Sequence, residues 1–192
     1  MAISGKMKKI VESAIKLEKD GVKFYTDASK NNIHPLGKAM FESFIGEEKK
    51  HLEKLDELLS KDSDAGAGKP NVGNIEGTLE KLKNLFKQMY KDGDVDVDPS
   101  ADDLKAIRAA IDFEKDGKGI YVDAADAADN QAEKELFTYL AYEEEAHLCI
   151  LENMHIEMER VCKQEAKDEQ QSQIEWERKL FMRPDAHERQ IG

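Results

Sequence analysis

Apolar residues recur at spacings of three and four along most of the chain, a pattern that is typical of amphipathic helices. The first stripe runs from Val11 to about residue 30, and residues 31–35 then interrupt it. That interruption contains the His34-Pro35 step, and proline disfavours helical geometry in the residue before it. A second stripe, from Phe41 to Leu59, predicts a second helix that ends near Ser60.

Residues 61–99 carry no comparable long stripe. They begin with the Gly-rich and Asp-rich stretch KDSDAGAGKPNVGN, followed by a short predicted helix from about Thr78 to Tyr90. Ser100 is a suitable N-cap for a third helix, and a fourth is predicted from about Gln131. A helix of about 24 residues spans only ~36 Å, so the connection is long enough to cross a whole bundle.

The chain repeats itself at an offset of 96 residues. Residues 14–28, AIKLEKDGVKFYTDA, align with residues 110–124, AIDFEKDGKGIYVDA. Residues 40–55, MFESFIGEEKKHLEKL, align without a gap with residues 136–151, LFTYLAYEEEAHLCIL. The repeat predicts two similar helical hairpins.

Together these features predict an all-α, ferritin-like four-helix bundle of two repeated hairpins with one long crossover. We expect residues 1–160 to form the bundle, with the crossover at 61–99, and residues 161–192 to form a C-terminal helical extension. Trp176, Leu180 and Phe181 of that extension could cover an apolar face of the bundle or of a second subunit, and a homodimer is expected.

Ionisable residues interrupt each apolar stripe near its centre, where burial without a partner would cost several kcal/mol. They are a lone glutamate in helices one and three and a Glu-x-x-His pair in helices two and four: Glu18, Glu48, His51, Glu114, Glu144 and His147. Residues three apart on a helix can reach one ion together. Each pair lies 30 residues after its lone glutamate. These six residues are the ligand set of a carboxylate-bridged dimetal site in ferritin-like bundles.

The residue types favour two iron ions. Four carboxylates balance two divalent ions, and one imidazole per ion favours iron or manganese over calcium or magnesium; zinc could replace iron in a purified sample. Two alternatives to metal binding by these residues stay open at this point. The glutamates could lie on the surface if the core face is misplaced by one position, and the histidines could be hydrogen-bonded core residues.

The segments LEKDGVKFY and GEEKKHL, with FEKDGKGIY and YEEEAHL in the second half, resemble the rubrerythrin-related branch of the ferritin-like superfamily. The resemblance covers roughly residues 5–160. It implies a non-haem diiron oxidoreductase that reduces hydrogen peroxide, and leaves a ferroxidase that oxidises Fe(II) with dioxygen or peroxide as the alternative. Rubrerythrins carry a rubredoxin domain on the same chain, which this sequence lacks, so a separate donor such as a rubredoxin-type protein is expected to supply electrons.

This sequence also departs from rubrerythrins one turn after Glu114, where they carry a further glutamate and this chain has Gly117. Gly21 is its repeat partner. The two glycines could leave room beside the ions for water, peroxide or dioxygen, or could merely permit close helix packing. Tyr25 and Tyr121 follow Glu18 and Glu114 by two helical turns and are expected to donate hydrogen bonds to metal-bound carboxylates, with core packing as the alternative.

Net charge, hydropathy and cysteine spacing indicate which partners and which location to expect. A formal net charge of -12 makes nucleic acid an unfavourable partner. The charged amino terminus and the absence of a long apolar run predict neither a signal peptide nor a membrane span, and the expected location is cytoplasmic. Cys149 and Cys162 form no CxxC pair, and Cys149 is expected to be a small buried thiol.

Overall fold

The computed structural model describes residues 3–31, 34–60 and 99–181, with side chains up to Glu175. It contains four helices: α1 (Gly5–Asn31), α2 (Pro35–Ser60), α3 (Ala101–Asp126) and α4 (Gln131–Phe181). The described ranges contain no strand, so the prediction of an all-α fold is confirmed for these ranges. The short helix predicted at Thr78–Tyr90 and the crossover up to residue 98 lie outside the described residues.

The starts of α3 and α4 are fixed by side chains that bind free backbone N–H groups. Ser100 caps α3: its Oγ accepts from Asp103 N at 3.1 Å, and Asp103 Oδ2 accepts from Ser100 N at 2.8 Å. Such a reciprocal capping box satisfies two backbone donors at once. At α4, Asn130 Oδ1 accepts from Glu133 N at 3.0 Å. These bonds place both helix starts where the sequence predicted them.

The helices pack as two hairpins, α1 against α2 and α3 against α4, and α1 also contacts α3. Two apolar clusters fill the core. The first apolar cluster includes Met7, Val11, Leu55, Tyr121, Phe137 and Leu140. The second apolar cluster includes Tyr25, Met40, Phe44, Ile107, Leu151 and Met154.

The order of these residues along the chain gives the direction of each helix. α1 and α4 run from the first apolar cluster to the second, whereas α2 and α3 run the opposite way. Consequently α2 ends at one end of the bundle and α3 begins at the other. On every helix the central ionisable residues lie between the two clusters, so they form a polar layer in the middle of the core.

Helix α4 is 51 residues long, about twice the length of each of the other three. At 1.5 Å per residue it measures about 77 Å. Cys162 Sγ lies 3.1 Å from Pro99 O, next to the start of α3. Beyond this point, residues 163–175 are exposed apart from half-buried Glu165. No helix in the described ranges, including α4, has a stretch long and apolar enough to cross a membrane.

Candidate metal centre

The polar layer consists of the six residues that the sequence singled out, contributed by all four helices. Each is at most 3% exposed: Glu18, Glu48, His51, Glu114, Glu144 and His147. The alternative that the glutamates lie on the surface is therefore wrong. Isolated charges at this depth would cost far more than a hydrogen bond returns, so the layer needs a compensating charge.

The six side chains form two groups of four that share two members. One group contains Glu18, Glu48, His51 and Glu144, and the other contains Glu48, Glu114, Glu144 and His147. Within each group the ligand atoms all lie within 4.8 Å of one another. Donor atoms about 2.1 Å from a common ion can be up to about 4.2 Å apart, so only slight movement is needed to bind one.

Glu48 and Glu144 are shared because each directs one carboxylate oxygen toward each histidine. His51 Nδ1 lies 3.2 Å from Glu48 Oε2 and 3.3 Å from Glu144 Oε1. His147 Nδ1 lies 3.7 Å from Glu48 Oε1 and 3.5 Å from Glu144 Oε2. This arrangement is suited to carboxylates that bridge two ions.

Glu18 and Glu114 each belong to one group only. Glu18 Oε2 lies 3.5 Å from His51 Nδ1, and Glu114 Oε2 lies 3.5 Å from His147 Nδ1. The geometry thus separates two shared carboxylates, both from Glu-x-x-His pairs, from two unshared ones. The imidazole rings lie close together, with centroids 5.9 Å apart, and both direct Nδ1 toward the carboxylates.

Several of these buried atoms have no hydrogen-bond partner within the described part of the chain. They are Glu18 Oε2, Glu48 Oε1, Glu114 Oε2, His51 Nε2 and both ring nitrogens of His147. Buried polar groups in native proteins are normally satisfied. Carboxylate oxygens and Nδ1 atoms that converge without donors between them are a donor set that fits divalent cations.

The pKa values of the layer show how strongly its members interact. Burial, followed by the charge of Glu144, raises the pKa of Glu114 to about 8 and that of Glu48 well above its usual value. Burial alone would lower the pKa values of His51 and His147, but the surrounding carboxylates raise both. Burial alone would raise the pKa of Glu144, but its close neighbours Glu114, His147 and His51 hold that pKa well below its usual range.

Tyr25 and Tyr121 bind the unshared carboxylates across the two hairpins. The Tyr25 hydroxyl donates to Glu114 Oε1, and the Tyr121 hydroxyl donates to Glu18 Oε1. Both tyrosines are fully buried. Each was expected to hydrogen-bond a carboxylate of the site. The structure adds that the acceptor lies on the other hairpin.

Gly21 and Gly117 lie against the shared carboxylates. A Cβ added at Gly117 would lie 3.8 Å from Glu144 Cδ and 3.5 Å from Leu17 Cδ2. A Cβ added at Gly21 would lie 3.6 Å from Glu48 Cγ but only 3.0 Å from Phe113 Cε1. The two positions are therefore alike in their carboxylate neighbour and different in the apolar side chain that covers them.

Sequence reasoning missed some features of the site's surroundings. The prediction for Cys149 was wrong, because its side chain is exposed. Position 149 lies two residues, or about 200° around the helix, from His147, which faces the core. Glu47 and Glu143, the repeat partners next to the shared glutamates, are buried at 7% and 2% exposure. The sequence signal for them was a glutamate directly before the shared glutamate in both halves of the repeat.

Comparisons with protein-family models, with curated proteins and with solved structures found no match to this chain. Its helices and its polar layer define its class: an all-α bundle with two buried Glu/His groups that could each hold a metal ion.

Proposed function

We propose that this chain is a non-haem diiron oxidoreductase of the ferritin-like superfamily, related to rubrerythrins, that reduces hydrogen peroxide. The observation that carries the proposal is the sharing of Glu48 and Glu144 between two Glu/His groups. Two independent mononuclear sites would not need common ligands. Four helices that each contribute to one central layer also agree with the ligand set of ferritin-like dimetal proteins.

The protein residues would hold the ions and keep bulk water away from them. Glu48 and Glu144 would be ligands common to both ions, whereas Glu18 and His51 would serve one ion and Glu114 and His147 the other. When bound, the ion pair supplies two electrons to hydrogen peroxide, which takes up two protons and becomes two molecules of water. Manganese or zinc could occupy the same ligands in a purified sample.

Tyr25 and Tyr121 would act as positioning residues. Each hydroxyl donates to one oxygen of an unshared carboxylate, which leaves the second oxygen of that carboxylate to face the ions. Hydrogen bonds of this kind orient metal ligands and tune their basicity. Burial and the neighbouring carboxylates raise the pKa values of both tyrosines, so the hydroxyls stay protonated donors at neutral pH.

A separate protein would supply the electrons. The two cysteines of this chain, Cys149 and Cys162, form no CxxC pair. A separate donor of the rubredoxin type is the proposed redox partner. The cytoplasmic location, the homodimer and the lack of a nucleic-acid partner stay predictions from the sequence.

A ferroxidase that oxidises Fe(II) for storage or detoxification is the second candidate. The observation that favours it is Gly117, because this position adds no fifth carboxylate to the four of the site. The same six ligands would serve either reaction. The two functions differ in whether iron stays bound through the cycle or passes on as product.

Metal analysis followed by rapid mixing tests the proposal. Protein produced with supplementary iron should contain two iron ions per chain. Its reduced form should be oxidised rapidly by hydrogen peroxide and slowly by dioxygen. Continued oxidation of added Fe(II) beyond two ions per chain, with retention of the ferric product, would select the ferroxidase instead.

A purely structural role for the ions is tested in the same samples. Structural sites have closed coordination shells, whereas reactive sites keep an open position. Two bound ions that react with neither peroxide nor dioxygen would overturn both redox functions.

A further inference from the structure

The two sides of the polar layer are closed by different side chains, although the sequence repeat relates them. Residue 17 is the repeat partner of residue 113, as Gly21 is of Gly117. Gly21 is covered by Phe113, and Gly117 is covered by Leu17. Each glycine is thus covered by a residue from the other hairpin, but one cover is aromatic and the other aliphatic.

Phe113 fills the space beside Gly21. Its ring atoms Cε1 and Cζ lie 3.0 and 3.3 Å from the position that a Gly21 Cβ would take. The ring is held in place on two sides: it stacks on Phe24 at a centroid distance of 5.8 Å and meets Tyr25 edge-on at 6.2 Å. Moving it would break both contacts, so this side is closed by a fixed group.

The Gly117 side leaves more room for an added group than the Gly21 side. The nearest atom to an added Cβ is the terminal Cδ2 of Leu17, at 3.5 Å, and the next is the carboxyl carbon of Glu144, at 3.8 Å. Leu17 and Phe113 are both partly buried, but the terminal methyl group of Leu17 can move by rotation about its side-chain bonds. In the repeat, Ile120 occupies the place of Phe24, so the aromatic residue that stacks on Phe113 has an aliphatic counterpart on this side.

A carboxyl group lies next to this space. Glu144 is 3% exposed and shared between both Glu/His groups, and Glu114, one turn before Gly117, has a buried Oε2 without a hydrogen-bond partner among the described residues. We call the space bounded by Gly117, Leu17 and the Glu144 carboxylate the Gly117 gap. It can take a methyl group without a close contact, and it lies next to a shared glutamate.

We propose that the Gly117 gap is the route by which a small exogenous ligand, of the class of hydrogen peroxide, dioxygen or azide, reaches the ion pair, and that Phe113 closes the related route at Gly21. The inference rests on the proposed dimetal site and adds to it a direction of approach. It makes Leu17 and Phe113 the residues that determine which side of the pair accepts a ligand.

Exchange of the two covering residues tests the inference. The variants are Leu17→Phe, Phe113→Leu and the double exchange. Leu17→Phe places at the Gly117 gap the aromatic ring that Phe113 provides at Gly21. Each is loaded with iron, its metal content is measured, and azide is titrated into the oxidised protein while its absorption spectrum is followed. Azide is the probe because its binding is read without turnover.

Leu17→Phe should keep two ions per chain and bind azide at least tenfold more weakly than the parent. Phe113→Leu should bind azide at least as tightly as the parent, and the double exchange should regain most of the affinity that Leu17→Phe loses. Leu17→Phe protein with full metal content and unchanged azide affinity would overturn the proposed route. Parent protein without two ions per chain would overturn the dimetal function, and the route with it.

Gly117→Ala provides a variant whose fold is not at risk. The added methyl group meets no atom closer than 3.5 Å, yet it lies beside the Glu144 carboxyl group. Azide affinity should fall severalfold at unchanged metal content and unchanged helicity. Equal azide affinity in Gly117→Ala and the parent would contradict the proposed route independently of the exchange variants.

Discussion

Gly117 and Gly21 differ in the space available to a methyl group, and this difference should be visible in stability. Alanine is favoured over glycine inside a helix by roughly 1 kcal/mol. Gly117→Ala should therefore raise the free energy of unfolding of the metal-free protein by up to about 1 kcal/mol. Gly21→Ala should gain less or lose stability, because Phe113 must move. Urea denaturation of both variants checks the order, and a more stable Gly21→Ala would contradict it.

Glu144 and Glu114 should differ in how many ions their loss removes. Glu144 belongs to both Glu/His groups, whereas Glu114 belongs to one. Glu144→Ala should abolish tight binding of both ions, and Glu114→Ala should leave about one ion per chain. Metal analysis after dialysis distinguishes the two results. Equal residual metal in the two variants would mean that Glu144 is not shared in the metal-bound protein.

The tyrosine hydroxyls should contribute to metal affinity without binding an ion. Tyr25→Phe and Tyr121→Phe each remove the donor to an unshared carboxylate, and loss of such a partner typically weakens metal binding by about 10-fold to 100-fold. Competition with a chromophoric chelator measures the change. Tyr142→Phe is the matched control, because Tyr142 is 59% exposed and should show no effect. An unchanged affinity in both buried variants would limit these tyrosines to packing.

At the scale of single residues, the sequence predicts which residues form the site better than it predicts which residues contact each other. The six central residues could be found because ionisable groups in the middle of apolar stripes are costly, and because the repeat showed them twice. That Tyr25 would reach Glu114 rather than Glu18 depends on how the hairpins are placed together. The covering of Gly21 by Phe113 is likewise a contact between helices, for which no spacing within one helix provides a signal.

Among the helices, α3 has the clearest local start signal. Ser100 and Asp103 form a capping box, and Asp103 is 1% exposed. Ser100→Ala should lower the free energy of unfolding by about 1 kcal/mol, because one backbone N–H loses its acceptor. Ser13→Ala is a suitable control: Ser13 is exposed in the interior of α1 and bonds only to Lys9 O in its own helix. Chemical denaturation should show little or no loss for that variant.

Helix α4 continues further than its apolar stripe predicted. The stripe supports a helix toward residue 166, and the structure continues it to Phe181. Residues 167–173, KDEQQSQ, contain no glycine or proline, and Lys, Glu and Gln are good helix formers. The periodicity of apolar residues indicates burial, so it weakens where a helix leaves the bundle. Helix propensity then gives the better prediction of where the helix ends.

For the whole molecule, metal affinity should rise with pH. The pKa values of Glu48, His51 and His147 are raised, and that of Glu114 is raised to about 8, so these groups tend to hold protons near neutrality that a cation must displace. Raising the pH from 6 to 8 titrates Glu114 and so weakens proton competition at the site, which should strengthen binding of manganese or zinc. Calorimetry in buffers of different ionisation enthalpy should detect proton release. Metal binding that does not change with pH and releases no protons would contradict this expectation.

The global arrangement was predictable to the level of four helices in two hairpins with a polar layer. This succeeded because each hairpin has a clear interruption, at 31–35 and near residue 130, and because both halves share one pattern. How the hairpins are placed together and the environment of Cys149 depend on packing between segments that are distant in sequence. Assignment to the rubrerythrin-related branch stays a prediction from the resemblance.

The division of ligands between the hairpins makes each half of the chain incomplete. One group takes three members from α1 and α2 and Glu144 from the other half; the second group takes three from α3 and α4 and Glu48 in return. The tyrosines cross in the same way. Any cation bound in the layer would thus hold the two halves together, so that metal supply would affect the stability of the molecule as well as its chemistry.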